Sequence, residues 1–149
     1  MPSSSEPPSL IVRTGLRVSG RAGIEQFAGT LQRRLTKGRP FHCLLTGDDE
    51  LRRLNRQYRG KNQPTDVLSF PSLEQGELGD IAVSLDRARA QAREFGHRID
   101  EEIRILMLHG VLHLLGMDHE SDAGEMARAE IQWRKKLALP TGLIERVHA

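Results

Sequence analysis

His109-Gly110-Val111-Leu112-His113-Leu114-Leu115-Gly116-Met117-Asp118-His119 holds a helix, its stop and a reversal within a single short stretch. His109 and His113 lie one helical turn apart, so both imidazoles leave the same face of a helix. Gly116 follows three residues on, where a left-handed residue ends a helix and glycine adopts it most cheaply. The chain then doubles back and returns His119 to the same place. Three neutral nitrogen donors with a fourth position free for water are the pattern of a catalytic zinc site, whereas structural sites fill all four positions, usually with thiolates. The expectation is one Zn2+ per chain, held by His109, His113 and His119, in a metal-dependent hydrolase.

The spacing is also that of the metzincin peptidases, in which the residue after the first histidine is a glutamate that acts as general base. Here it is Gly110, which cannot move a proton. Peptide hydrolysis needs an activated water and a proton delivered to a poor amine leaving group, so the loss of that glutamate argues against proteolysis. Glu102, two turns earlier on the same helix face, either supports the site from behind or is solvated. Asp118, beside a ligand on the reversing loop, is the better candidate for orienting a histidine or a water.

At 149 residues, with 38% hydrophobic and 28% charged residues, the chain is expected to form one soluble domain with a real core. Aromatics are only 4%, so aliphatic packing must dominate. The single cysteine, Cys43, excludes an intrachain disulfide and a thiolate zinc site, and its apolar neighbours point to a buried, inert thiol. The longest apolar run, Ile105 to Leu115, is too short to span a membrane. Residues 1–9 are rich in proline and serine, lack the basic and apolar regions of a secretory signal, and are expected to be a disordered leader to a catalytic domain at 10–149. A cytoplasmic location fits these features. Net charge is +2, and all but four of the 22 basic residues (Lys37, Lys61, Lys135 and Lys136) are arginine, the better residue for bidentate contact with phosphate.

Outward from the histidines, hydrophobic periodicity predicts strands at Leu10 to Val18, Phe41 to Thr46, Val67 to Phe70 and Asp80 to Ser84, the last short and central. Helices are predicted at Gly23 to Lys37, Asp48 to Tyr58, Asp86 to Phe95, Asp100 to Leu115 and Glu120 to Leu137. The last turns Met126, Ile131 or Trp133, and Leu137 inward. The order implies an α+β fold: a four-stranded, mixed sheet covered by helices, with the metal site on the helix ended by Gly116.

A second segment, Arg59-Gly60-Lys61-Asn62-Gln63-Pro64-Thr65-Asp66-Val67-Leu68-Ser69-Phe70-Pro71, sets two cations, a glycine and an acid directly before an apolar strand. Thr65 and Asp66 can simply tie the loop through side-chain to backbone hydrogen bonds. Taken with Leu78-Gly79-Asp80-Ile81 and the histidine stretch, however, the chain resembles the YbeY-type endoribonucleases of bacteria, the rRNA maturation RNases. The resemblance runs from about residue 41 to about residue 135. It departs at Met117, where tyrosine is frequent in that family.

The resemblance implies a single-strand-specific, zinc-dependent endoribonuclease acting in 16S rRNA 3′-end maturation and ribosome quality control. His109, His113 and His119 would bind zinc and Arg59 would be the catalytic arginine; Asp118, from its own place on the reversing loop, would be a further catalytic group that orients the site. Its partners would be single-stranded RNA, small-subunit ribosomal RNA and the ribosome, not DNA and not a membrane. The chemistry agrees: a phosphodiester transition state gathers negative charge, which a divalent ion and an arginine fork both stabilise. Arg52, Arg56, Arg59 and Lys61, on one helix and its exit loop, are either a solvated face or a track for the RNA backbone. Two other readings remain open, a ribosome-assembly factor with structural zinc and, less well supported, a metzincin-like peptidase.

Overall fold

In a computed structural model of the chain, residues 8–13, 15–60 and 65–147 are described. Ten elements follow one another: β1 (Ser9–Val12), α1 (Arg21–Arg34), β2 (Phe41–Thr46), α2 (Asp48–Arg59), β3 (Val67–Pro71), β4 (Gly79–Ser84), α3 (Leu85–Phe95), α4 (Ile99–Leu114), α5 (Glu125–Lys136) and α6 (Leu143–Val147). The strands form one sheet in the order β1-β2-β4-β3. β1, β2 and β4 are parallel, and β3 runs antiparallel along β4, from Val67 against Val83 to Pro71 against Gly79. This is the α+β fold with a mixed four-stranded sheet expected from the sequence, and β4 is interior.

Successive strand residues point to opposite faces, and the two faces are covered unequally. One carries Leu68 and Ala82, which bury with Leu51 of α2 in a small cluster. The other carries Cys43, Leu45, Ile81 and Val83, which merge with α1, α3 and α4 into the main core. Burying each leucine or isoleucine in that core stabilises it by roughly 1.5–3 kcal/mol. α2 therefore lies across the sheet from α4, the helix carrying two of the histidines. Its ends are well specified: Asp48, Asp49 and Glu50 fill the first turn, Arg56 and Arg59 the last, and Gly60 closes it at φ +71°.

Four expectations need correction. The first strand stops at Val12; Leu16 and Val18 still pack against the core, but from irregular chain. It starts at Ser9, a residue that the leader was expected to include, whereas residues 1–7 lie outside the described residues. The last long helix begins at Glu125, not Glu120. Asp118 and Asp122 capture the backbone N–H groups of Glu120, Gly124 and Met126 with their side chains, and such local bonds compete with helix. Finally, α6 was not anticipated; five residues are too few for a periodic signal. Among the described residues, no helix is long and apolar enough to cross a membrane.

Candidate metal centre

α4 supplies two of the three histidines, and its fit against the sheet fixes where they stand. A Cβ on Gly110 would come within 3.0 Å of Ile81 Cγ2, 3.2 Å of Ile81 Cδ1 and 3.3 Å of Ser69 Oγ. The Ser69 hydroxyl donates to the Gly110 carbonyl at 3.0 Å. Glycine thus lets the helix lie close on β3 and β4, and a glutamate there would be driven into the sheet. The missing peptidase base has a steric reason as well as a chemical consequence.

Beyond Leu114 the helix unwinds as the sequence suggests. Gly116 takes φ +94°, its N–H meets the His113 carbonyl at 2.9 Å, and Met117 N–H reaches the Leu112 carbonyl at 3.2 Å. The reversal brings His119 back to α4. The three rings stand with centroids 4.8 Å (His109 to His113), 5.5 Å (His109 to His119) and 5.8 Å (His113 to His119) apart. One ring nitrogen from each lies within 4.8 Å of the others, a spacing that could hold one metal ion.

The donor set fits such an ion. Glu130, buried in α5, accepts a hydrogen bond from His109 Nδ1 at 2.8 Å, which leaves Nε2 as the free donor. Burial first, and then the neighbouring His109 and His119, hold His113 below the ordinary histidine range, against the opposing pull of its hydrogen bond to the Met117 backbone and of Asp118. That favours the neutral ring, the form that offers a lone pair. His119 keeps a buried Nδ1 with no hydrogen-bond partner among the described residues.

Asp118 is exposed and serves the loop directly. Its carboxylate accepts from Glu120 N–H at 3.0 Å, and its backbone carbonyl accepts from Ser121 and Asp122 N–H. The Glu120 bond, with smaller help from Ser121 and from His113 and His119, holds it below the usual carboxylate range.

Beside the histidines opens a cleft of about 350 Å³, lined in part by Asp66, Gln91, Phe95, His109, His119 and Arg146. Asp66 belongs to the second segment singled out in the sequence, and Gln91 donates to its Oδ2 at 3.3 Å. Arg52, Arg56 and Arg59 do not line this cleft. They are exposed on α2, across the sheet, with no ion-pair partner among the described residues. Arg59 and the cleft are joined by residues 60–66, of which Lys61 to Pro64, including the proposed RNA-contacting Lys61, lie outside the described residues.

Two carboxylates carry more than sequence reasoning gave them. Glu102 is wholly buried and forms a two-armed ion pair with Arg146 of α6, at 2.7 and 2.8 Å. It therefore ties α4 to α6 at the cleft wall that Arg146 helps to line. Glu130 was missed, although its position signalled it: it falls four residues after Met126, on the face of α5 that turns inward.

The family model for endoribonuclease YbeY matches residues 22–138. The chain is 61% identical over 147 residues to a protein named endoribonuclease YbeY from Solibacter usitatus, with 99% of each chain covered. It is 60% identical over 103 residues to one of the same name from Koribacter versatilis, covering 69% of this chain and 68% of the other. A solution structure of a Thermotoga maritima protein aligns with a TM-score of 0.61 at 30% identity, over 87% of both chains.

Proposed function

The chain belongs to the YbeY endoribonuclease family, and from that premise we propose that it is a metal-dependent endoribonuclease that cuts single-stranded RNA, with zinc as the metal and small-subunit ribosomal RNA and the ribosome as its setting. The convergence of His109, His113 and His119 on one point carries this reading. These three residues would hold the ion, which when bound supplies Lewis acidity toward a phosphoryl oxygen or a water.

The chain's own groups do the rest. Glu130 holds His109 in place, and Asp118 shapes the loop that delivers His119, so it is a positioning residue. Arg59, exposed and without an ion-pair partner among the described residues, is available to fork onto a phosphate oxygen of bound RNA. An alkoxide leaving group asks less of a dedicated protein acid than an amine does, which suits a site with Gly110 in place of the peptidase glutamate. Maturation of the 16S rRNA 3′ end and ribosome quality control, in the cytoplasm, are the roles this reading assigns.

The test is cleavage of an end-labelled single-stranded RNA by the wild type and Arg59→Ala, purified identically and matched for metal content. Cutting by the wild type and a loss of about two to three orders of magnitude in the variant are expected. Equal cutting would remove Arg59 from the mechanism. No cutting by either would favour an assembly factor in which the metal only holds the fold.

A further inference from the structure

Glu130 is 1% exposed, yet neither of its carboxylate oxygens is idle. Oε2 accepts from His109 Nδ1 at 2.8 Å, and Oε1 accepts from the backbone N–H of Ile144, also at 2.8 Å. One carboxylate thus joins a candidate metal ligand on α4 to the start of α6. α6 is in turn seated by two further charged clamps. Arg146 grips Glu102 through both Nη atoms, with its guanidinium 4.3 Å from the centroid of Phe95. Glu145 accepts from Arg134 Nε and Nη2 at 2.6 and 2.9 Å, and also from Gly142 N–H.

Gly142 completes the arrangement: a Cβ there would meet Glu130 Oε1 at 2.5 Å, Cδ at 2.8 Å and Cγ at 2.9 Å. The turn into α6 is pressed against the carboxylate itself. A buried carboxylate bound only by its own helix would be a packing feature. This one has its position set from one side by α6 and is spent on the other on a histidine.

We propose that Glu130 is a second positioning residue of the metal centre, fixing His109 with its proton on Nδ1 and Nε2 turned toward the ion, and that the seating of α6 sets where Glu130 stands. This rests on the reading that the three histidines hold a divalent ion. Carboxylate partners of this kind raise the basicity of a ligating histidine and fix its orientation, and their loss weakens metal affinity by about 10- to 100-fold.

The experiment measures zinc affinity by competition with a chromophoric chelator for the wild type, Glu130→Gln, Gly142→Ala and His113→Ala. It is accompanied by melting of each metal-free protein and by 15N NMR of the metal-free wild type to read the His109 tautomer. Glu130→Gln keeps the side chain's shape and an oxygen for Ile144 while removing the charge. It is expected to bind zinc about 10- to 100-fold more weakly, with a metal-free melting point close to that of the wild type and a lower kcat at unchanged KM on RNA.

Gly142→Ala leaves Glu130 in the sequence but pushes its carboxylate, and the backbone at 142 lies outside the left-handed region, so alanine brings no backbone strain of its own. It is expected to reproduce part of the loss in affinity. Should Glu130→Gln fail to fold, Gly142→Ala and the wild-type tautomer still decide. Wild-type affinity in both variants, or a His109 proton found on Nε2, would overturn the proposal while leaving the metal site intact. Zinc binding that His113→Ala leaves untouched would overturn the metal reading and the proposal together.

Discussion

Gly110 faces Ile81 and Ser69, and the space it leaves empty is what lets α4 lie on β3 and β4. Gly110→Glu, which would restore the peptidase spelling, is expected to destabilise the fold by about 1–3 kcal/mol through overpacking and to confer no proteolysis. Urea unfolding with a casein digestion assay checks both halves, and a stable, proteolytic variant would refute the steric account. Cys43 makes a second residue-scale prediction. Burial pushes its thiol up to about 12, so in the native protein it should react with a thiol reagent only as fast as the fold opens. Immediate labelling of the folded protein would contradict its place in the core. Both residues were legible in part. An apolar neighbourhood announced the cysteine, and the glycine announced a missing base. That the glycine also seats a helix depends on Ile81 and Ser69, which no local pattern connects to position 110.

At the scale of the elements, one carboxylate ties α2 to the end of β2 and to the residue just after β1. Glu50 accepts from Arg13 Nε and Nη2 at 3.0 and 2.8 Å, from Thr46 at 2.7 Å and from Arg53 at 3.1 Å. Arg13 first, with Thr46 and Arg53 adding to it, holds the Glu50 carboxyl down at about 2 from the usual 4.5, against some desolvation. Between those two values the unfolded chain binds the proton and the folded chain does not. The stabilisation is therefore complete above about pH 4.5 and is lost as pH falls toward 2. Glu50→Gln should flatten that part of the acid limb in a pH series of thermal melts, and should lower stability at pH 7 by about 1 kcal/mol, since Arg13 is half exposed. An acid limb identical to the wild type's would show that the pair is absent in solution. The outer side of the same helix carries Arg52 and Arg56. If these guide RNA, log affinity against log salt should become shallower by about one for each replaced by alanine. An unchanged slope would make them a solvated face. Periodicity sufficed to place most of these helices within a residue or two. It failed at Glu120 to Gly124, where aspartate side chains take the N–H groups a helix would use, and it carried no information on which sheet face α2 covers.

Over the whole molecule, the candidate centre joins α4, the loop after Gly116 and, through Glu130, α5 and α6. A ligand that binds only this assembled arrangement stabilises the fold by mass action, about 2.7 kcal/mol at one hundred times its dissociation constant. Zinc should therefore raise the melting temperature by several degrees, and a chelator should reverse the gain. A melting point indifferent to both would speak against metal at this site. The three histidines could be read from spacing and the mixed sheet from the order of the elements, because spacing is local and the elements are periodic. The Glu130 bridge and the Glu102–Arg146 pair could not, since they join residues 21 and 44 positions apart whose meeting only the finished fold decides. The position of α6 has a consequence for synthesis. A chain leaves the ribosome from its N-terminus, and α6 follows every other described element in chain order. A nascent chain that already displays His109, His113 and His119 thus still lacks the stretch that walls the cleft and braces Glu130. Full metal affinity should then arrive only once α6 has emerged and folded against α5, later than the histidines themselves.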